Sequence, residues 1–210
     1  MKALLVCGKV KPYLYYNWNT DTYHVTNSLK DLRGDFGGSR VCSGADRLCA
    51  YQDDGRILTN GHIMAECDFD VEEVIHADNC ISYYCRKTTL LQEKSCLTNG
   101  QIYSYLKDKN GYAIHIKNLH IFDKPRDLED YYSNKELMLE ILSVWENYGL
   151  PDKDDYKEVS FRHIPRNMCY AYDEKESYIL ISVKPEEACR ILNGKQTILI
   201  RKKILKKMNS

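Results

Sequence analysis

The stretch Ile179-Leu180-Ile181-Ser182-Val183-Lys184-Pro185-Glu186-Glu187-Ala188-Cys189-Arg190-Ile191-Leu192-Asn193-Gly194-Lys195-Gln196-Thr197-Ile198-Leu199-Ile200-Arg201-Lys202 reads as strand, short helix, tight turn and strand. The β-branched and aliphatic run Ser177–Val183 predicts the first strand. Pro185 suits a first helical position, because its preset φ fits and its missing N–H would find no partner there. Glu186 and Glu187 then face the positive end of the helix dipole. Ala188, Ile191 and Leu192 supply the apolar stripe, and Asn193-Gly194 ends the helix. In the strand Gln196–Lys202, Lys195, Thr197, Leu199 and Arg201 share one face, and Ile198 and Ile200 point to the core. Two cations flanking a hydroxyl on an exposed face suit a phosphate or a base edge.

Working outward, Ala3-Leu4-Leu5-Val6-Cys7 reads as a buried strand, and Asn17 to Ser43 is polar and glycine-rich without a clear period. Asn60-Gly61 joins Arg56–Thr59 to His62–Val71 as a β-hairpin, since both turn positions tolerate positive φ. On its second strand Ile63, Ala65, Cys67, Phe69 and Val71 are predicted core, with Met64, Glu66, Asp68 and Asp70 opposite. Thr98-x-x-Gln101 is a capping box opening a helix through Ile102, Tyr105 and Leu106. Ser133-x-x-Glu136 is a second, for a helix carrying Leu137, Ile141, Val144, Trp145 and Tyr148 on one face. Tyr112–Lys117 and Leu119–Phe122 read as strand, stopped by Asp123-Lys124-Pro125. Short strands, few helices and no strand–helix alternation predict an α+β fold: a mixed β-barrel with three or more short helices attached. Residues 1–210 read as one domain, with 133–156 as a helical insert.

Composition narrows the class. Of 210 residues, 43% are hydrophobic and 29% charged, which excludes a disordered chain. No apolar run approaches the roughly 18 residues of a membrane span, and Ala3–Cys7 is too short for the core of a secretory signal. The reading is a soluble, cytoplasmic protein. Nine cysteines are an odd number, and Cys80-x4-Cys85 and Cys42-x6-Cys49 lack a matching second knuckle, so reduced thiols are expected ahead of a metal site. The net charge of zero conceals an uneven spread. Glu66, Asp68, Asp70, Glu72, Glu73 and Asp78 form an acidic stretch, and no acid follows Glu187. Arg190, Lys195, Arg201, Lys202, Lys203, Lys206 and Lys207 make the C-terminal end basic, as a solvated surface or a phosphate-binding one.

These residues reach a family resemblance. The quoted window resembles the opening of ASCH domains, PUA-like β-barrels whose signature is a strand, a Lys-Pro helix start and a Gly-x-Lys-x-x-Glu-x-Arg turn and strand. Asn60–Asp70 resembles the family's hairpin strand with a glutamate, here Glu66, facing the cleft. Cys96–Leu128, with His115-Ile116-Lys117-Asn118-Leu119 and Asp123-Lys124-Pro125-Arg126-Asp127-Leu128, resembles a stretch common in bacterial and phage members. The order differs. The Lys-Pro helix opens the family's chains and closes this one, while Lys2–Tyr13 resembles the strand that normally follows it. A circular permutation accounts for this, because permutation at an exposed loop preserves a fold; a partial second copy is the alternative.

The resemblance implies a nucleic-acid-binding module, RNA foremost, with a cleft edged by Lys184, Lys195, Thr197 and Arg201. Glu66 either orients Arg201 or sits in water, and His115 is a structural histidine ahead of a ligand contact. Lys202, Lys203, Lys206 and Lys207 would add phosphate contacts. Some small relatives are amidohydrolases of acetylated cytidine, using a Lys, a Thr nucleophile and a Glu. Their Lys aligns with Gln196 and their nucleophile with Leu199, which has no nucleophilic atom, so catalysis is disfavoured. An enzyme acting on a modified nucleoside through Thr197 or a cysteine is a second reading. A third is a protein-interaction factor docking a basic partner on Glu66-Asp68-Asp70. No cofactor motif is present in the sequence, and none is expected.

Overall fold

A computed structural model describes residues 2–8, 11–17, 20–27, 61–74, 76–77, 80–81, 85–107, 109–148, 160–161 and 163–205. The described chain is mixed α+β, with a curled six-stranded sheet as its frame. The elements are β1 (Lys2–Cys7), β2 (Tyr13–Asn17), β3 (Thr22–Thr26), β4 (Ile63–Val74), β5 (His76–Ala77), β6 (Cys80–Ile81), α1 (Cys85–Ser95) and α2 (Asn99–Leu106). There follow β7 (Gly111–Arg126), a 3-10 turn (Leu128–Asp130), α3 (Lys135–Tyr148), β8 (Met168–Tyr172), β9 (Ser177–Val183), α4 (Pro185–Leu192) and β10 (Ile198–Arg201). The main sheet runs β10-β7-β4-β1-β9-β8. All its pairings are antiparallel except β1 with β9, where Ala3 pairs with Ile179 and Cys7 with Val183.

The sheet is covered on both sides. One face of β1, β4, β7 and β9 contributes Ala3, Leu5, Cys67, Phe69, Ile114, Ile179 and Ile181 to the main core, closed by Ala188, Ile191 and Leu192 of α4. The other face carries Leu4, Val6, Phe122, Leu128, Tyr131 and Leu180. A third cluster packs Leu91 of α1 and Ile102 and Leu106 of α2 against Ala113, Ile198 and Ile200. β10 is therefore buried on both faces: Leu199 enters the main core while Ile198 and Ile200 meet the helices. The expectation of an exposed face at Leu199 and Arg201 is corrected, because α1 and α2 cover one side of β10 and the curl of the sheet covers the other.

Other differences follow from local geometry. The register of β4 on β7 shifts between Ile63 and Ala65, so Ile63 joins Leu4 and Phe122 while Met64 enters the main core. β7 runs through Pro125 to Arg126 instead of stopping at Asp123. Past Ile116, whose N–H still reaches the Thr197 carbonyl, β7 has no further ladder partner on that edge among the described residues, so a residue without an N–H is tolerated there. Part of the stretch read as aperiodic is ordered as β3 of a β2–β3 hairpin, and α1 is a helix with no counterpart in the sequence reading. The hairpin is tied to α4 by Tyr23 N–H donating to Asn193 Oδ1 at 2.8 Å and Asn193 Nδ2 donating to Tyr23 O at 2.7 Å.

Helix ends agree with their local chemistry. The Thr98 box forms, with Gln101 N–H donating to Thr98 Oγ1 at 3.2 Å and Thr98 N–H to Gln101 Oε1 at 2.8 Å. α3 is capped one residue later than expected, by Asn134, whose Oδ1 accepts from Glu136 N–H at 3.0 Å and Leu137 N–H at 3.3 Å. Its Met138 is buried, whereas Leu137 and Val144 are exposed. Asn60, the strand 56–59 and residues 149–156 of the expected insert lie outside the described residues. Among the described residues no helix is long and apolar enough to cross a membrane.

Candidate functional site

A cleft of about 540 Å³ opens where β9 passes into α4, between that junction and α2. Ser182, Val183, Lys184, Pro185, Glu186, Glu187 and Arg190 form one wall, and Leu97, Gln101 and Tyr105 the facing one. Arg166 and Asn167 close an end, with Ile200 and Arg201 also lining it. The sequence builds each wall by periodicity. Ile102 and Leu106 turn α2 inward, which leaves Gln101 and Tyr105, one turn apart, on the cleft side. On α4, Ala188, Ile191 and Leu192 face the core, so Glu187 and Arg190 face the cleft.

At the base of this cleft lies Arg201, only 7% exposed. Its Nη1 donates to Glu187 Oε1 at 3.2 Å and its Nη2 to Glu187 Oε2 at 3.3 Å, a forked ion pair. The same two nitrogens also donate, Nη1 to the Ile200 carbonyl at 3.0 Å and Nη2 to the Ser182 carbonyl at 3.1 Å. Glu187 Oε2 also accepts the Lys184 N–H at 3.3 Å. In sheet order β10 and β9 are separated by β7, β4 and β1. The Arg201 guanidinium spans the gap directly, so the curl of the sheet is pinned at the cleft. Asn167 adds to the seam: its carbonyl accepts from Ser182 N–H at 2.8 Å, and its Nδ2 donates to the Lys203 carbonyl at 3.4 Å. Arg201 is thus a structural cation with both terminal nitrogens fully engaged, and Glu187, not Glu66, orients it.

The free positive charge lies around it. Lys184 is exposed and, with Arg166, has no side-chain partner among the described residues. Arg190 lines the cleft and spends its Nε on Gln196 Oε1 at 2.9 Å. Lys202 sits with Nζ 5.0 Å from the centroid of the Tyr105 ring. That ring is 41% exposed.

Of the six residues singled out in the sequence, Lys184 and Arg201 line this cleft. Lys195 is exposed at the α4–β10 turn, where its N–H donates to the Arg190 carbonyl at 2.8 Å. Thr197 is half-buried, bonded through its N–H to the Lys94 carbonyl and through its carbonyl to Ile116 N–H. Glu66 pairs with Lys2 at 3.4 Å, and His115 Nε2 lies 3.2 Å from Glu72. The acidic stretch of β4 is matched across the strands. Lys117 bonds Asp70, Asn118 Nδ2 donates to Asp68 at 3.0 Å, and Asn110 Nδ2 to Glu73 at 3.1 Å. Gln196 is buried, with its Nε2 donating to the Ile198 carbonyl at 3.0 Å.

The cleft residues that sequence reading missed are Gln101, Tyr105, Arg166, Asn167 and Glu187. The i, i+4 spacing of Gln101 and Tyr105 opposite Ile102 and Leu106 was the available signal for two of them. Arg166 and Asn167 come from an irregular segment with no pattern to read. Burial pushes the Cys7 and Cys67 thiols up to about 12 and Cys169 up to about 11, so they stay protonated at neutral pH. Among the described residues no cluster of three or more His, Cys, Asp or Glu could hold a metal ion. No family model, curated protein or solved structure matches the chain.

Proposed function

We propose that this chain is a nucleic-acid-binding module, RNA foremost, of the PUA-like ASCH type, with the connection order circularly permuted. The observation that carries the binding reading is the cleft. Lys184, Arg166 and Arg190 ring a partly apolar groove beside an exposed tyrosine, the combination that holds phosphates and a flat ring together. The neutral total charge is no obstacle, because Glu66, Asp70 and Glu72 of β4 lie against Lys2, Lys117 and His115, whereas Lys184 and Arg166 face the cleft without an acidic partner among the described residues. Membership of β1 and β10 in one sheet, with β1 beside β9, supports permutation over an appended second copy. Binding is favoured over catalysis for a chemical reason: Leu199 is wholly buried and apolar, Thr197 does not line the cleft, and the described buried thiols are protonated.

The test is fluorescence anisotropy of the full chain against mixed single-stranded RNA, hairpin RNA and DNA, at several salt concentrations. A Lys184→Glu/Arg166→Glu variant stands beside it, both positions lacking structural partners among the described residues. Salt-dependent binding lost in the variant is the expected result. Absence of binding to all three nucleic acids overturns the proposal.

A further inference from the structure

We infer that the cleft receives one unstacked base of a single strand, laid on the Tyr105 ring with its edge read by Gln101 and Asn167. This rests on the nucleic-acid reading above and adds which part of the ligand enters. Tyr105 is not needed by the core: Ile102 and Leu106 carry that role for α2, and the Tyr105 ring lines the cleft while 41% exposed. Lys202 lies against one face of the ring, 5.0 Å from its centroid. An ammonium there holds the ring in place and leaves the opposite face to a ligand ring.

The polar groups discriminate between a base and a bare phosphate. Gln101 commits Oε1 to the Thr98 N–H and hydroxyl at 2.8 and 3.2 Å, so its amide nitrogen is the group left to donate. Asn167 commits Nδ2 to the Lys203 carbonyl, so its Oδ1 is left to accept. A donor on one side and an acceptor on the other match a base edge, whereas a phosphate offers acceptors alone. Leu97, Val183, Pro185 and Ile200 supply apolar contact for a flat ring. A volume of about 540 Å³ falls within the roughly 300–1,000 Å³ of small-ligand sites and admits a nucleotide unit, not a duplex. Bases in a duplex stay stacked, so the ligand is single-stranded or looped. Lys184, Arg166 and Arg190 then take the flanking phosphates.

The experiment uses the full chain and a short fluorescein-labelled single-stranded RNA carrying 2-aminopurine, whose emission is quenched by stacking on an aromatic ring. Tyr105→Ala is expected to weaken binding roughly tenfold and abolish the quenching, while Tyr105→Phe keeps both. An unchanged melting temperature in both variants separates this from misfolding. If Tyr105→Ala binds and quenches like the parent, or Tyr105→Phe loses as much as Tyr105→Ala, the base does not lie on the ring. In either case the nucleic-acid reading survives through the anisotropy signal. No anisotropy change with any strand removes both. Displacement of the strand by equal concentrations of mixed mononucleotides identifies the base as that of a free nucleotide and overturns the strand assignment.

Discussion

Removing the Arg201 guanidinium would strand Glu187 and two backbone carbonyls at the bottom of the cleft. Breaking one side of a buried, forked ion pair costs about 3 kcal/mol or more, because the abandoned charge keeps its desolvation penalty. Arg201→Met should therefore lower the melting temperature by roughly 6–12 °C for a chain of this size, read by thermal denaturation. Any loss of ligand binding in it would report folding and not contact, which is why Lys184 and Arg166 serve as the functional probes. The cysteines offer a second test at this scale. Cys7 and Cys67 are buried with thiols raised to about 12, whereas Cys96 is exposed. Brief treatment with a maleimide at neutral pH, followed by peptide mass mapping, should label Cys96 and leave Cys7 and Cys67 unmodified until denaturant is added. Labelling of Cys7 in the native protein would contradict the burial of β1.

Among the elements, those announced by local chemistry were legible. Pro185 at the first helical position, the Thr98 box and the Asn193-Gly194 stop are each decided within a few residues, and α2 and α4 begin and end accordingly. Strand faces were legible only while register held. Ala65, Cys67 and Phe69 of β4 keep the expected core face, while the shift between Ile63 and Ala65 swaps Ile63 with Met64, and nothing in that strand's alternation announces it. The burial of β10 was illegible for another reason. Its far side is covered by α1, a helix with weak periodicity, and its Arg201 is buried by a partner on α4 reached only once the sheet curls. Two glycines separate backbone from packing effects. Gly194 has φ +70°, and a Cβ added there would meet nothing within 4 Å, so Gly194→Ala should cost roughly 1 kcal/mol through backbone strain alone. Gly111 has an ordinary backbone, but a Cβ there would lie 3.0 Å from Leu106 Cδ1 and 3.1 Å from the Arg201 carbonyl. Gly111→Ala should cost about 1–3 kcal/mol by crowding the α2–β10 seam. Chemical denaturation of both variants checks the pair. A Gly111→Ala variant as stable as the parent would refute the crowding.

For the molecule as a whole, the cleft joins elements distant in sequence, and its positive charge comes from Arg166 and the Lys184–Arg190 segment, with Lys202 beside it on the Tyr105 ring. If these four cations each neutralise one phosphate of a single strand, log affinity should fall against log salt with a slope of about −3. Anisotropy titrations across a salt series measure it, and a slope near zero would remove phosphate contact from the cleft. The parallel pairing of β1 with β9 has a consequence for how the protein is made. The ribosome completes β1 well before β9, and Ile179 follows Ala3 only after the strands and helices between them have been synthesised. At roughly 5–20 residues per second, that delay is on the order of 10–35 s. During it, Ala3-Leu4-Leu5-Val6-Cys7 has one edge without its final partner, even after β4 has docked on the other. The nascent chain therefore carries an apolar open strand until β9 has emerged, and its yield in cells should depend on chaperone capacity more than its finished stability would suggest.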